Sequence, residues 1–357
     1  MSSKAEILIL GASYGSLLAS KLALAGHNVH LVCLPAEASA INANGIELRI
    51  PVRGRDGLVN VNSRQLGGTV SAGGAAEVDT RRFDLVALAM QEPQYSNAEI
   101  RALLQRIASA EVPCMSIMNM PPLTYLRRIP GLDTDRLRHC YTDPAVWDIL
   151  DPQLLTLCSP DPQAFRPPGE ASNVLQVTLP TNFKAAGFEQ AAHTELLRRL
   201  ERDILDSTFN VDGVETALPV KLRVHDSIFV PMAKWSMLLT GNYRCVQRER
   251  MIPICDAVHS DPAESARIYN RVAELCVALG AQPGDLVPFE KYAAAATGLK
   301  KPSSAARALD SGAVNIERVD KLVAAIAEQL GMCDPTIDAI VDTVEFRLRQ
   351  NRMQIAS

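Results

Sequence analysis

The residues Gly11, Ala12, Ser13, Tyr14 and Gly15 stand between an apolar run at 7–10 and the amphipathic stretch that begins at Ser16. Small residues at such a junction let the backbone come close to a ligand. A helix starting there presents unpaired N–H groups and the positive end of its dipole, which is chemistry suited to a phosphate or diphosphate. The glycine pattern is incomplete. An ungapped Gly-x-Gly-x-x-Gly frame places Leu10, Ala12 and Gly15 on its three positions, and a frame begun at Gly11 places Ser13 and Ser16 on the second and third. The position of the turn, after a strand and before a helix, is what favours an anion site over a plain strand–turn–helix. Two amides belong to the same chemistry. Gln91 follows the apolar run at 83–90, and Asn119 ends the run at 112–118. Ligands of open parallel sheets lie beyond the carboxyl ends of their strands.

These groups need elements to hold them. Residues 5–120 read as alternating strands and helices, beginning with a strand–turn–helix–strand unit that continues through Gly26 to Val32. Residues 45–50 alternate apolar and polar, as an antiparallel strand does, and the Gly- and Ala-rich stretch 67–76 reads as a loop. The continuous apolar run at 83–90 predicts a buried parallel strand. A helix over 97–109 and a strand at 112–118 follow. Residues 174–179 predict a strand and 188–204 a helix. From residue 219 the pattern reads as helices only. The first is a long apolar one over 225–247; the second is capped by Asp261 with Pro262 at its first position and stops at Gly280. Two more run over 314–330 and 334–349. The fold class is therefore α/β: a Rossmann-like dinucleotide-binding domain over 1–215, then an all-α domain over 216–357 for substrate and dimerisation. The cleft between them is the expected site.

Composition narrows the partners. The chain has 357 residues, 47% of them hydrophobic and 21% charged, with a net charge of −4. That balance suits a globular protein and argues against a nucleic-acid or membrane-surface partner. Eight cysteines lie scattered with no Cys-x-x-Cys pair, and six histidines show no ligand spacing, so neither a disulfide framework nor a metal centre is expected. No apolar run reaches the roughly 18 residues of a membrane span. With no signal-peptide pattern at the start of the sequence, a cytoplasmic location is expected.

The order and spacing of several short segments resemble the ketopantoate reductase (2-dehydropantoate 2-reductase) family over nearly the whole length. They are the Gly11-to-Ala19 turn, the strand Phe83-Asp84-Leu85-Val86, Asn119 after Met115-Ser116-Ile117-Met118, and Lys234-Trp235-Ser236-Met237-Leu238. Glu274 within Val272-Ala273-Glu274-Leu275, Lys301-Pro302-Ser303-Ser304, and Pro335 complete the set. The resemblance implies an NADP(H)-dependent reductase of small keto acids or related carbonyls, NAD(H) remaining open, and a homodimer. It implies that Asn119 touches cofactor and substrate, although an Asn closing a turn is the alternative. It implies that Ser304 binds substrate, although either Ser303 or Ser304 would also serve as a helix cap. Glu274 matches a family glutamate, and a buried carboxylate there would take Lys234 or Arg244 as its partner, in a structural pair or a catalytic one.

The departures from the family are equally specific. Met237 stands where the family has its catalytic lysine, Gly241 and Cys245 where it has asparagines, Gln91 where a lysine ends the strand, and Leu34 where an arginine meets the 2′-phosphate. The late acidic residue falls near Ile316, flanked by Asn315 and Glu317. Lys234, one turn back and about 60° around a helix from Met237, is the candidate proton donor. Asn242 and Arg244 are candidates for the reacting centre and for a carboxylate, with His225 and Tyr243 further polar groups on the same stretch. The expected function is thus a divergent reductase acting on a small carbonyl or hydroxy acid other than ketopantoate. The alternatives are an opine-type dehydrogenase that reduces an imine and a non-catalytic dinucleotide-binding protein.

Overall fold

The computed structural model describes residues 4–356. It forms two compact units, one of residues 4–90, 94–118 and 148–226, the other of residues 91–93, 119–147 and 227–356.

The strands of the first unit are β1 (Glu6–Leu10), β2 (Asn28–Val32), β3 (Glu47–Pro51), β4 (Leu58–Asn62), β5 (Val70–Gly73), β6 (Leu85–Leu88), β7 (Cys114–Ile117), β8 (Leu155–Ser159), β9 (Gln163–Phe165), β10 (Val174–Leu179), β11 (Phe183–Ala186), β12 (Phe209–Val211), β13 (Val214–Thr216) and β14 (Leu222–His225). Eight of them make one sheet in the order β14-β11-β8-β7-β6-β1-β2-β5. β1 pairs in parallel with both β2 and β6, and its residues Ile7 to Leu10 are fully buried. Burial on both faces is what turns such a strand into an uninterrupted apolar run. The helix Ala12–Leu24 packs on β2 and on the helix Ala191–Asp206, whose Leu197, Leu200 and Ile204 enter the same core. A second sheet runs β4-β3-β10-β9, and β12 and β13 form a hairpin.

Several sequence expectations hold: the parallel β6, and the Asp261-capped helix Pro262–Ala278, where the Asp261 carboxylate accepts from Glu264 N at 3.0 Å; the strand expected as antiparallel at 45–50 is β3, antiparallel to β4 but parallel to β10. Others do not. Residues 70–73 of the presumed loop are strand β5, parallel to β2. One glycine of that stretch serves close approach. A Cβ on Gly68 would lie 1.8 Å from the carbonyl oxygen of His27, so the chain can run against its neighbour only without a side chain there. The change to helices comes later than residue 219, because β14 joins the large sheet and His225 is its last residue.

In the second unit the helices are Ile254–His259, Pro262–Ala278, Phe289–Ala296, Ser304–Asp310, Val319–Gln329 and Pro335–Ala356. The expected long helix over 225–247 is instead three short pieces: a 3-10 turn Val230–Ala233, an α turn Lys234–Met237 and a π turn Leu238–Tyr243. Pro231 cannot donate to a regular ladder. The Tyr292 hydroxyl donates to the Met237 carbonyl at 3.2 Å, occupying an acceptor that an α-helix would give to Gly241. Gly241 makes room for it, since a Cβ there would lie 2.1 Å from that hydroxyl. The helix expected over 314–330 begins only at Val319, leaving residues 314–318 outside it. Among the described residues no helix is long and apolar enough to cross a membrane.

Candidate active site

The glycine turn of the first unit has the geometry of an anion cradle. Gly11 has φ 103°, a conformation that costs a residue with a side chain, and a Cβ there would lie 2.6 Å from Met90 Cγ and 2.7 Å from the Ala89 carbonyl oxygen. Its N–H bonds the Val32 carbonyl at 2.8 Å, tying the turn to the end of β2. The helix that starts at Ala12 has no side-chain cap, so its first N–H groups are not taken by a capping side chain. Gly15 sits over β1, where a Cβ would lie 2.6 Å from Ile9 Cγ2. Ala12 is buried, Ser13 is exposed, and Tyr14 is half-buried with its side chain against the core of this unit. A glycine turn packed this closely on the sheet, leading into a 13-residue helix with no side-chain cap, fits the diphosphate of a dinucleotide. Near the end of β2, where Leu34 is exposed, Glu37 accepts from Leu34 N at 3.3 Å and is paired with Arg166. That cation arrives from far along the sequence.

The second unit holds a pocket lined by Gln91, Asn119, Leu238, Asn242, Tyr243, Ser304, Ala305, Ile316 and Glu317. Its interior space is about 20 Å³, room for one water-sized group. The π turn points successive residues differently from an α-helix, and its Asn242 lines the pocket while Gly241 packs on Tyr292. Ser303 caps the helix Ser304–Asp310, its Oγ accepting from Ala306 N at 3.1 Å and donating to the Asn242 carbonyl at 2.7 Å. The cap is therefore Ser303, and Ser304 is exposed at the pocket.

Glu317 is the residue that sequence reasoning passed over. Its carboxylate is buried, accepting from Asn119 Nδ2 at 3.2 Å and from Glu92 N at 3.4 Å. Its backbone is clamped by Tyr243, whose hydroxyl donates to the Glu317 carbonyl at 2.6 Å and accepts from Val319 N at 3.0 Å. The next residue, Arg318, is bound to Asp320 at 2.9 Å and to Glu345 at 2.7 Å. Burial pushes the Glu317 carboxyl up to about 7; the Asn119 and Glu92 hydrogen bonds and the Lys234 charge oppose this, while the Glu92 charge adds to it. Glu92 is itself buried, accepting from Thr142 N at 3.0 Å and Thr142 Oγ1 at 2.8 Å, and burial raises its carboxyl too. Asn119 Oδ1 is buried with no hydrogen-bond partner among the described residues, so the pocket wall carries an unused acceptor. The only sequence signal for Glu317 was an acid one residue from the family's acidic position.

Gln91, Asn119, Asn242 and Ser304 thus meet in one pocket. Lys234, half-buried, does not line it but acts electrostatically on Glu317. Two placements differ from expectation. Glu274 is exposed and pairs with Arg271 at 3.3 Å rather than with Lys234 or Arg244, because its position on the helix Pro262–Ala278 faces outward. Arg244 is turned from the pocket to Ser265 Oγ at 2.7 Å and the Thr240 carbonyl at 3.4 Å, and burial lowers the pKa of its guanidinium.

No protein-family model matches the chain, and no curated protein matches it in sequence. Solved structures do match in fold. A protein from Ralstonia solanacearum MolK2 assigned as a ketopantoate reductase superposes with a TM-score of 0.66 at 16% identity, over 98% of this chain and 99% of that one. D-mandelate dehydrogenase, solved with NADH and anilino(oxo)acetate, gives 0.64 at 12% identity over 97% and 99%. The 2-dehydropantoate 2-reductase of Methylococcus capsulatus gives 0.62 at 15% identity, over 97% of each chain. The fold is that of the ketopantoate reductases.

Proposed function

We propose that this chain is a nicotinamide-dependent oxidoreductase of ketopantoate reductase type, that it reduces a small keto acid or related carbonyl, and that ketopantoate is not its substrate. The observation that carries this reading is the gathering of Gln91, Asn119, Asn242 and Ser304, from four separate stretches of sequence, on one polar pocket in a chain of that fold. When bound, the reduced nicotinamide supplies a hydride equivalent to a carbonyl carbon. NADP(H) is the form the resemblance favours, and NAD(H) is the form to test beside it. The N–H groups after Gly11 would hold the diphosphate. Asn119 and Asn242 offer amide donors to the substrate's oxygen, and Ser304 offers a hydroxyl to its carboxylate. Met237 has no proton to give where the family has lysine, and losing such a donor costs roughly two to four orders of magnitude in rate. A different substrate read by different residues accounts for that better than a damaged copy.

The test is a titration of NADPH and NADH followed by nicotinamide fluorescence, then a panel of keto acids with and without added amines. Micromolar binding of one coenzyme and reduction of a keto acid alone are expected. No binding of either coenzyme overturns the reading. Binding without turnover would instead make the chain a dinucleotide-binding protein, and turnover only with an amine present would make it an opine-type dehydrogenase. A homodimer belongs to the same reading and is checked by sedimentation.

A further inference from the structure

We infer that Glu317 exchanges the proton with the substrate's oxygen, so that a carboxyl group on the loop before the helix Val319–Gln329 is the acid–base residue of this chain. The inference rests on the reductase reading above. Glu317 lines the pocket together with four polar residues expected at the site, Gln91, Asn119, Asn242 and Ser304, and is only 8% exposed. Its position is set before any substrate arrives. The Tyr243 hydroxyl holds the two peptide groups that follow it, through the Glu317 carbonyl and the Val319 N–H, and the next residue, Arg318, is anchored to Asp320 and Glu345. Such preorganisation is what proton transfer in a transition state requires.

The charges around Glu317 come from every neighbouring element. Glu92 faces it from the turn Glu92–Ser96, and Lys234 from the turn Lys234–Met237. Tyr243 faces it from the π turn, its phenol driven well up by burial, and Arg318 follows it on its own segment with its charge already engaged. The outcome is an acid that holds its proton to about 7, where a donor is most useful near neutral pH.

As the carbonyl carbon accepts a hydride from the dihydronicotinamide, the C=O π pair becomes an O–H bond to the proton of Glu317. Glu317 is left as carboxylate and regains a proton from water. In the reverse direction the carboxylate takes the proton of the hydroxyl group. Reduction should therefore slow as pH rises through about 7, and oxidation should speed up over the same range.

The test uses the full chain with the coenzyme it binds. Glu317→Gln keeps the shape and removes the proton. It should lower kcat for reduction by about 10²- to 10⁴-fold and abolish the pH limb near 7, with coenzyme affinity within about twofold by fluorescence. Glu317→Asp retains an acid and should keep the limb at reduced kcat, which separates lost chemistry from lost folding. A readout independent of turnover is the carboxyl-carbon NMR titration of the coenzyme-free protein labelled at glutamate. The signal missing in Glu317→Gln should titrate near 7, and Lys234→Met should move it, and the kinetic limb with it, to higher pH. Wild-type kcat with an intact limb in Glu317→Gln, or a Glu317 signal titrating below about 5, overturns the inference while leaving the reductase reading standing. A wild-type protein that binds neither coenzyme overturns both.

Discussion

Lys21 and Glu317 lie in different units of the molecule, and burial drives both to the same place from opposite sides. Lys21, on the helix Ala12–Leu24, is 1% exposed; burial, with a smaller push from Lys221, lowers it from 10.5 to about 7, and its ammonium donates to the Leu218 carbonyl at 3.1 Å. Glu317 is raised from 4.5 to about 7. The electrostatic cause is shared, so a displaced pKa does not distinguish a structural group from a reactive one. Access and company do. Lys21 ends on a backbone carbonyl inside packed structure. Glu317 opens onto a pocket beside an unused amide acceptor and two more amides.

The comparison can be broken by stability measurements with opposite signs. Lys21 loses its proton near 7 in the folded protein and near 10.5 when unfolded, so between those values the unfolded chain binds the extra proton and stability rises with pH. The rise should be roughly 3–5 kcal/mol across that window. Lys21→Met should flatten it in urea melts taken from pH 7 to 10, without changing turnover per folded molecule. An unchanged slope would place Lys21's charge elsewhere. Glu317 gives the next largest effect, in the reverse sense. Folded Glu317 keeps its proton up to about 7 where the unfolded chain releases it near 4.5, so stability is full in acid and declines as pH rises through that range. The decline should be about 3 kcal/mol, and it should vanish in Glu317→Gln. A third test concerns Asn119, whose Nδ2 bonds the Glu317 carboxylate at 3.2 Å. A hydrogen bond to a charged group is worth about 1.5–3 kcal/mol, so Asn119→Ala should carry the kinetic limb upward by about 1–2 pH units. A limb that stays in place would mean the bond does not govern the titration. The smallest effect is expected at Glu274. It is exposed and paired with Arg271 one helical turn away, so Glu274→Gln should change stability by less than about 0.5 kcal/mol and leave the pH profile alone.

The two units also differ in how much of them the sequence made visible. The first site is built from backbone within five consecutive residues. Gly11 and Gly15 are required by contacts with Met90, Ala89 and Ile9, and such demands leave a local trace. The buried β1 and β6 were equally plain, because double-sided burial writes a continuous apolar run. The pocket is built from side chains at 91, 119, 242, 304 and 317, and no window of sequence spans them. Asn242 was named from sequence, but the regular helix expected around it was not found, since Tyr292, fifty-odd residues away, donates to the Met237 carbonyl where the ladder widens into a π turn. β14 was missed because four residues with mixed polarity are too few to separate strand from helix. Arg244 looked available because its partner, Ser265, lies on another helix.

The Tyr243 hydroxyl holds the two peptide groups that follow Glu317, so the address of this carboxyl is set by a pin and not by counting residues along the preceding loop. A loop anchored that way tolerates insertion or deletion upstream while its acid stays put. An acid that drifts by one place in a linear alignment can therefore occupy an unmoved point in space, and here the tyrosine is the better landmark for finding it.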